Sequence, residues 1–179
     1  EVTGGDDRYY HLVLLAENNE GYENLTKIVS KGFVEGYYYK PRVDKELLRT
    51  CHKGIIALSA CLAGEVPRYL TKGMYEEAKD RALEYQEIFG KGNYFLELQD
   101  HGIPDQQLVN QQLMKLSQET GIELVATNDV HYTYADDAKA HDILLCIQTG
   151  KKLSDENRMR YEGGQYYVKS EEEMAALFP

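Results

Sequence analysis

The apolar run HLVLLAEN (residues 11–18) turns polar at its end, the pattern of a buried strand. In the following NEGYENLTKIVSKGFVEG, Tyr22, Leu25, Ile28, Val29 and Phe33 recur at helical spacing and predict an amphipathic helix. YYYKPRV reads as a loop around Pro41, and Asp44 stands as the N-cap of a short helix, KELLRT. Lys53-Gly54 breaks the chain before a second buried strand, IIALSA, with Cys61 at its end. EVPRYLTKG holds a short helix that Gly73 can end. Met74 to Phe89 predicts a longer one, with Ala78, Ala82, Tyr85 and Phe89 on one face. NYFLELQ is a third strand, running out at Asp100-His101-Gly102. DQQLVNQQLMKLSQETG predicts a helix with Leu108, Leu113 and Leu116 inward and Gly121 at its C-terminus. IELVATN is the fourth strand, and Ala135 to Gly150 a helix ending in glycine. KLSDENRMRYEGGQYYVKS is polar and irregular apart from a short strand at QYYVK. Ser170 caps a last helix, EEEMAALF, with Glu173 at the capping-box position.

Strands and helices therefore alternate, and several strands are continuously apolar, as expected where both sheet faces are buried. That order predicts an α/β fold with a parallel sheet or a (β/α) barrel. In such folds function collects at the C-terminal ends of the strands. Cys61, Asp100 with His101, and Asp129 with His131 all fall there. His11 is the exception, at the start of an apolar run rather than its end.

The length of 179 residues suits one ordinary domain, and no apolar run approaches the roughly 20 residues of a membrane span. No N-terminal stretch has the order of a signal peptide, and the polar opening EVTGGDDRYY without an initiator Met reads as a piece of a longer chain. Cys51, Cys61 and Cys146 are odd in number and form no CxxC, which points to a reducing compartment. The net charge of −10 argues against this segment as the main grip on nucleic acid, although phosphates handled through metal ions remain compatible with it.

Asp129 and His131, two apart, address the same side if the segment is extended. Carboxylate and imidazole suit zinc or manganese, and a thiolate tilts the choice toward zinc. The alternative is an Asp that caps the following turn beside a surface His. The other residues have equally plain readings. Cys61 reads as a small core residue by composition alone, and Cys51 and Cys146 as packing residues. His101 reads as part of a turn, His52 as exposed, and His141 as a core or interface histidine on a helix. Lys40 and Arg42 read as a solvated loop, or as a phosphate contact.

The blocks YYHLVLLAENNEGYENLTKIVSKGF, YYYKPR, ALSACLAGEVPR, YFLELQDHG, VATNDVHY, AHDILLCIQTG and QYYVKSEEEMAALF appear in this order and cover essentially the whole chain. They resemble the PHP (polymerase and histidinol phosphatase) domain of bacterial DNA polymerase III alpha subunits, in its C-terminal portion. The resemblance implies a distorted (β/α)7 TIM-like barrel lacking its first strands over residues 1–150, and a connecting segment with a terminal helix over 151–179. It implies metal ligands at His11, Cys61, Asp129 and His131, with His101 at the substrate or behind the ligands. The family's HxH, Asp/His and Glu ligand segments have no counterpart here, so the set is partial.

The implied parent is a cytoplasmic DNA-directed DNA polymerase, a nucleotidyltransferase of DNA replication using Mg2+ in a separate palm domain. The implied PHP activity is that of a Zn2+- or Mn2+-dependent phosphoesterase or 3′–5′ exonuclease. The alternative is a scaffold that stabilises the polymerase and binds a proofreading subunit. Implied partners are DNA, dNTPs, a sliding clamp and that proofreading exonuclease subunit. A barrel short of strands leaves edges open and implies self-association of the isolated piece.

Overall fold

The structure is a computed structural model and describes residues 9–179. Its described strands are β1 (Val13–Ala16), β2 (Ile55–Leu58), β3 (Tyr94–Leu98) and β4 (Leu124–Ala126). Its helices are α1 (Asn19–Val34), α2 (Lys45–Thr50), α3 (Glu65–Thr71), α4 (Tyr75–Phe89), α5 (Pro104–Thr120), α6 (Ala138–Thr149) and α7 (Glu171–Leu177). The chain forms two compact units. The first holds the described residues up to Glu97 with Val109–Val125, the second Leu98–Leu108 with Ala126–Pro179.

The fold is mixed α/β, with one sheet in the order β1-β2-β3-β4. β2 and β3 are parallel, Ala57 opposite Tyr94 and Leu58 opposite Phe95. β1 instead runs antiparallel to β2, Val13 opposite Leu58 and Ala16 opposite Ile55. The all-parallel expectation thus fails at β1. Continuous apolarity reports burial and carries no direction. Here the chain leaves β1, passes through α1 and α2, and returns to the end it left, where the Glu17 N–H donates to Gly54 O (2.8 Å). That closure is tight: a Cβ on Gly21, in the first turn of α1, would lie 1.8 Å from Gly54 O. The Asn18 side chain caps the same turn by accepting from Gly21 N (2.9 Å).

α4 buries Ala78, Ala82, Tyr85 and Phe89, the stripe read from the sequence. α5 departs from its reading: Val109, Leu113 and Leu116 are buried, whereas Leu108 is 56% exposed. The buried positions 109, 113 and 116 follow the i, i+4, i+7 stripe, and Leu108 stands beside it. On α1, Ile28 is buried but Tyr22, Val29 and Phe33 are exposed, so much of the expected inward face meets solvent.

Glu65, at the start of α3, is buried and accepts from the Tyr85 hydroxyl (2.5 Å) and from Lys45 Nζ (3.1 Å). Lys45 also bonds Glu84 (2.8 Å). Burial alone would raise the Glu84 carboxyl, but the bonds from Lys45 and Arg81 outweigh it and hold it below the usual range. This network ties α2, α3 and α4 into one layer.

In the second unit the buried Arg158 guanidinium grips the Asp142 carboxylate with two bonds (2.6 and 2.8 Å), fastening the irregular segment after α6 to that helix. The buried Asn128 donates to Gln165 O (2.8 Å) and Tyr167 O (2.7 Å). The strand expected at QYYVK is reduced to one parallel bridge, Tyr132 with Tyr167. Its partner segment bends at Asp129, so the ladder does not extend. α7 carries its capping box as read: Glu173 N donates to Ser170 Oγ (3.2 Å) and Ser170 N to Glu173 Oε2 (2.8 Å). Among the described residues no helix is long and apolar enough to cross a membrane.

Candidate functional site

The antiparallel course of β1 resolves the oddity of His11. Because β1 enters the sheet where β2 leaves it, the start of one strand lies beside the end of the other. His11 N donates to Ala63 O (3.0 Å), and His11 forms a bridge with Gly64. Cys61 Sγ then stands 3.7 Å from His11 Nδ1. Ala60, just before this cysteine, has φ +64°, a left-handed backbone that costs a residue with a Cβ about 1–2 kcal/mol. Strain of this kind persists only where the surroundings enforce it. The Tyr9 ring stacks on His11, centroids 6.2 Å apart.

The second pair lies in the second unit, and its geometry differs from the extended segment read from sequence. Asp129 has φ +43°, so the chain turns there. His131 N donates to Tyr166 O (2.8 Å), and His131 Nδ1 sits 2.6 Å from Asp129 O. A carbonyl only accepts, so Nδ1 donates to it, and in the neutral ring Nε2 is the nitrogen that presents a lone pair. This is the orientation that metal-binding histidines receive from a backbone carbonyl. The Asp129 side chain is exposed and makes no hydrogen bond to the following turn. The turn at 134–137 is closed instead by Asp137, whose carboxylate accepts from Tyr134 N (3.0 Å).

Aromatic rings surround His131. Tyr161 lies 4.3 Å from it between centroids, and His141 and Tyr166 5.6 Å each. His101 stacks on Tyr166 (4.0 Å, 11° between planes), and its Nε2 donates to Asn128 O (2.9 Å). Asp100 accepts from Gly102 N (2.9 Å), which closes the turn in which the sequence placed His101. Burial, then the nearby Asp129 charge, push the Tyr166 hydroxyl above the usual tyrosine range, so it stays protonated. Tyr161 and Tyr166 gave no signal in the sequence, because neither belongs to a spaced motif. His141, read as a core or interface histidine, turns out to face His131.

Burial, then the adjacent His131, hold the His141 imidazole below the usual histidine range. A depressed value means that the unfolded chain binds this proton more readily than the folded one. The contribution is present above the unfolded value, near ~6.5, and is lost as pH falls through the folded value. His141→Gln is therefore expected to flatten the fall of the melting temperature on acidification, read by circular dichroism across that window. An identical pH profile in the variant would refute this.

The donors thus form two pairs, His11 with Cys61 and Asp129 with His131, one in each unit. Their chemistry, imidazole, thiol and carboxylate, suits zinc or manganese. Among the described residues no three His, Cys, Asp or Glu side chains gather closely enough to hold an ion. The described residues do not by themselves complete a metal centre.

A family model described as the PHP domain matches residues 1–101. The chain belongs to the PHP domain family. Within this PHP chain the matched stretch includes His11, Cys61 and His101, while Asp129 and His131 lie beyond it. Curated relatives align with nearly the whole chain. The DNA polymerase III subunit alpha of Treponema pallidum is 51% identical over 172 residues, 96% of this chain and 15% of the relative. That of Deinococcus radiodurans is 51% identical over 175 residues, 98% of this chain and 13% of the relative. That of Thermus aquaticus is 44% identical over 176 residues, 98% and 14% respectively. The PHP chain therefore spans only about one seventh of the length of these relatives.

Proposed function

We propose that this PHP chain is part of a bacterial DNA polymerase III alpha subunit, and that its donor pairs serve hydrolysis of the phosphodiester at a DNA 3′ end. Relatives with that name, half identical over nearly the whole chain, support the first half. The observation that carries the second is His131: its Nδ1 proton is committed to the Asp129 carbonyl, which leaves Nε2 as an oriented lone-pair donor near a carboxylate that is exposed. His11, Cys61, Asp129 and His131 would hold zinc or manganese, with further donors from outside the described residues. Bound there, such an ion would supply Lewis-acid chemistry, activating water and polarising a phosphodiester. Within the second unit, protonated Tyr166 offers a hydrogen-bond donor near Asp129 and His131, and His101 is braced on Tyr166. The four-stranded sheet would be a segment of the family's (β/α)7 barrel over residues 1–150, and 151–179 the connection onward. Polymerisation with Mg2+ and dNTPs, contact with a sliding clamp and a bacterial cytoplasmic setting would belong to the parent.

A second reading, a scaffold that stabilises the polymerase and carries a proofreading subunit, draws support from the incomplete donor set among the described residues. The alpha subunit carrying this chain separates the two. On a 3′-labelled single strand, the hydrolase reading expects release of the terminal nucleotide, slowed at least ~100-fold in His131→Ala while primer extension continues. Primer extension without any 3′ release in the wild type would leave only the scaffold.

A further inference from the structure

We propose that the loop after α1, together with Tyr9, is a grip for single-stranded DNA, in which Tyr39 stacks on a base and Lys40 takes the adjoining phosphate. This rests on the reading of the chain as one that acts on DNA, and adds to it a recognition surface separate from the donor pairs.

The loop is built tightly. Gly36 lies against Arg42, where a Cβ would come within 1.9 Å of Arg42 O. Tyr38 N donates to Lys40 O (3.1 Å), and Arg42 donates a guanidinium N–H to Tyr38 O. These bonds fold the segment back on itself and leave Tyr39 at its apex. Tyr39 has φ +59° and is 78% exposed. A left-handed backbone on a bulky residue costs energy, and here it presents a flat aromatic face to solvent.

Cations alternate with the rings. The Arg42 guanidinium lies 5.3 Å from the Tyr9 centroid and 5.4 Å from that of Tyr38. Lys40 Nζ is 5.3 Å from the Tyr9 centroid and 3.2 Å from its hydroxyl. Among the described residues Lys40 pairs with no carboxylate, so its full charge is available to an anion. In a chain of net charge −10 this is a local exception. Tyr38 meets Tyr39 edge-on (4.7 Å), which steadies the exposed ring. Tyr9 in turn stacks on His11, which places the loop next to the His11–Cys61 pair.

Exposed rings interleaved with cations are the means by which proteins hold single strands without reading sequence: every base offers a π-face, and every link a phosphate. A duplex keeps its bases stacked on one another and offers Tyr39 nothing. The loop therefore selects unpaired DNA.

The test is fluorescence anisotropy of a short labelled oligothymidylate with the 179-residue chain, at low salt and with chelator present, so that no hydrolysis intervenes. The wild type is expected to bind the single strand more tightly than the matching duplex. Tyr39→Ala is expected to weaken binding about tenfold, while Tyr39→Phe, which keeps the ring, does not. Lys40→Ala is expected to lower the slope of log affinity against log salt by about one. Both side chains are exposed, and circular dichroism verifies that the variants fold. A wild type that ignores the single strand, equal binding of the duplex, or variants that bind as the wild type does would each overturn the proposal. Because metal is absent, these results are independent of whether the parent hydrolyses DNA.

Discussion

Gly64→Ala is expected to lower the urea midpoint of the first unit and to drive His11 and Cys61 apart. Gly64 has an ordinary backbone, with φ −71°, so the loss is not one of conformational freedom. It is steric: a Cβ would fall 2.1 Å from Ser59 O and 3.2 Å from Cys61 O. Ser59 and Cys61 are held in turn, since the Ser59 hydroxyl accepts from Glu97 N (2.8 Å) and Cys61 O accepts from Gly64 N (2.8 Å). No flexible side chain can yield, so the loop from 59 to 64 must move, at a cost of about 3 kcal/mol, the upper end for overpacking. The same glycine bridges His11, so the movement is transmitted to the donor pair. Gly73→Ala is the natural comparison: its φ is +73° with no heavy atom within 4 Å of the added Cβ, which leaves backbone strain alone, about 1 kcal/mol. Equilibrium urea unfolding ranks the two. A Gly64→Ala midpoint equal to or above that of Gly73→Ala would refute the packing argument.

Asp129→Val is expected to destabilise the second unit by about 2 kcal/mol and to release His131, whereas Asp129→Asn leaves the melting temperature nearly unchanged. The reason lies in the backbone. At φ +43° Asp and Asn are tolerated, while a β-branched residue clashes with its own carbonyl. Straightening this turn withdraws the Asp129 carbonyl from His131 Nδ1, and with it the fixed tautomer. Thermal unfolding gives the first effect. The second appears in the NMR signals of the His131 ring nitrogens, which should report one dominant neutral tautomer in the wild type and in Asp129→Asn, and a mixture in Asp129→Val. Equal stability of the Val and Asn variants would contradict the strained turn.

The helices were largely legible because their ends carry chemistry. Asp44 and Ser170 cap as read, and Gly150 ends α6 with φ +67°, whereas the Asn18 cap of α1 emerged only from the structure. The stripe of α4 was legible because small and large apolar residues repeat at its period. Strand direction was not, since it is set by the closure between Glu17 and Gly54, far apart in sequence. That one error hid the partnership of His11 with Cys61. Of the candidate site, the residue types at 129 and 131 were readable, but their geometry was not: two-residue spacing implies a shared side only in extended chain, and Asp129 turns. The aromatic surround of His131 was unreadable, because Tyr161, Tyr166 and His141 come from segments without a common motif and are gathered by folding.

Elemental analysis of the alpha subunit that carries this chain, purified without chelator, beside its Asp129→Asn/His131→Gln version, decides whether these donor pairs are metal ligands. Asparagine keeps the turn, so the pair can be altered without unfolding the unit. Bound zinc or manganese is expected in the wild type, with a clear loss in the double variant at an unchanged melting temperature. A wild type free of metal, or equal metal in both proteins, would mean that Asp129 and His131 hold no ion.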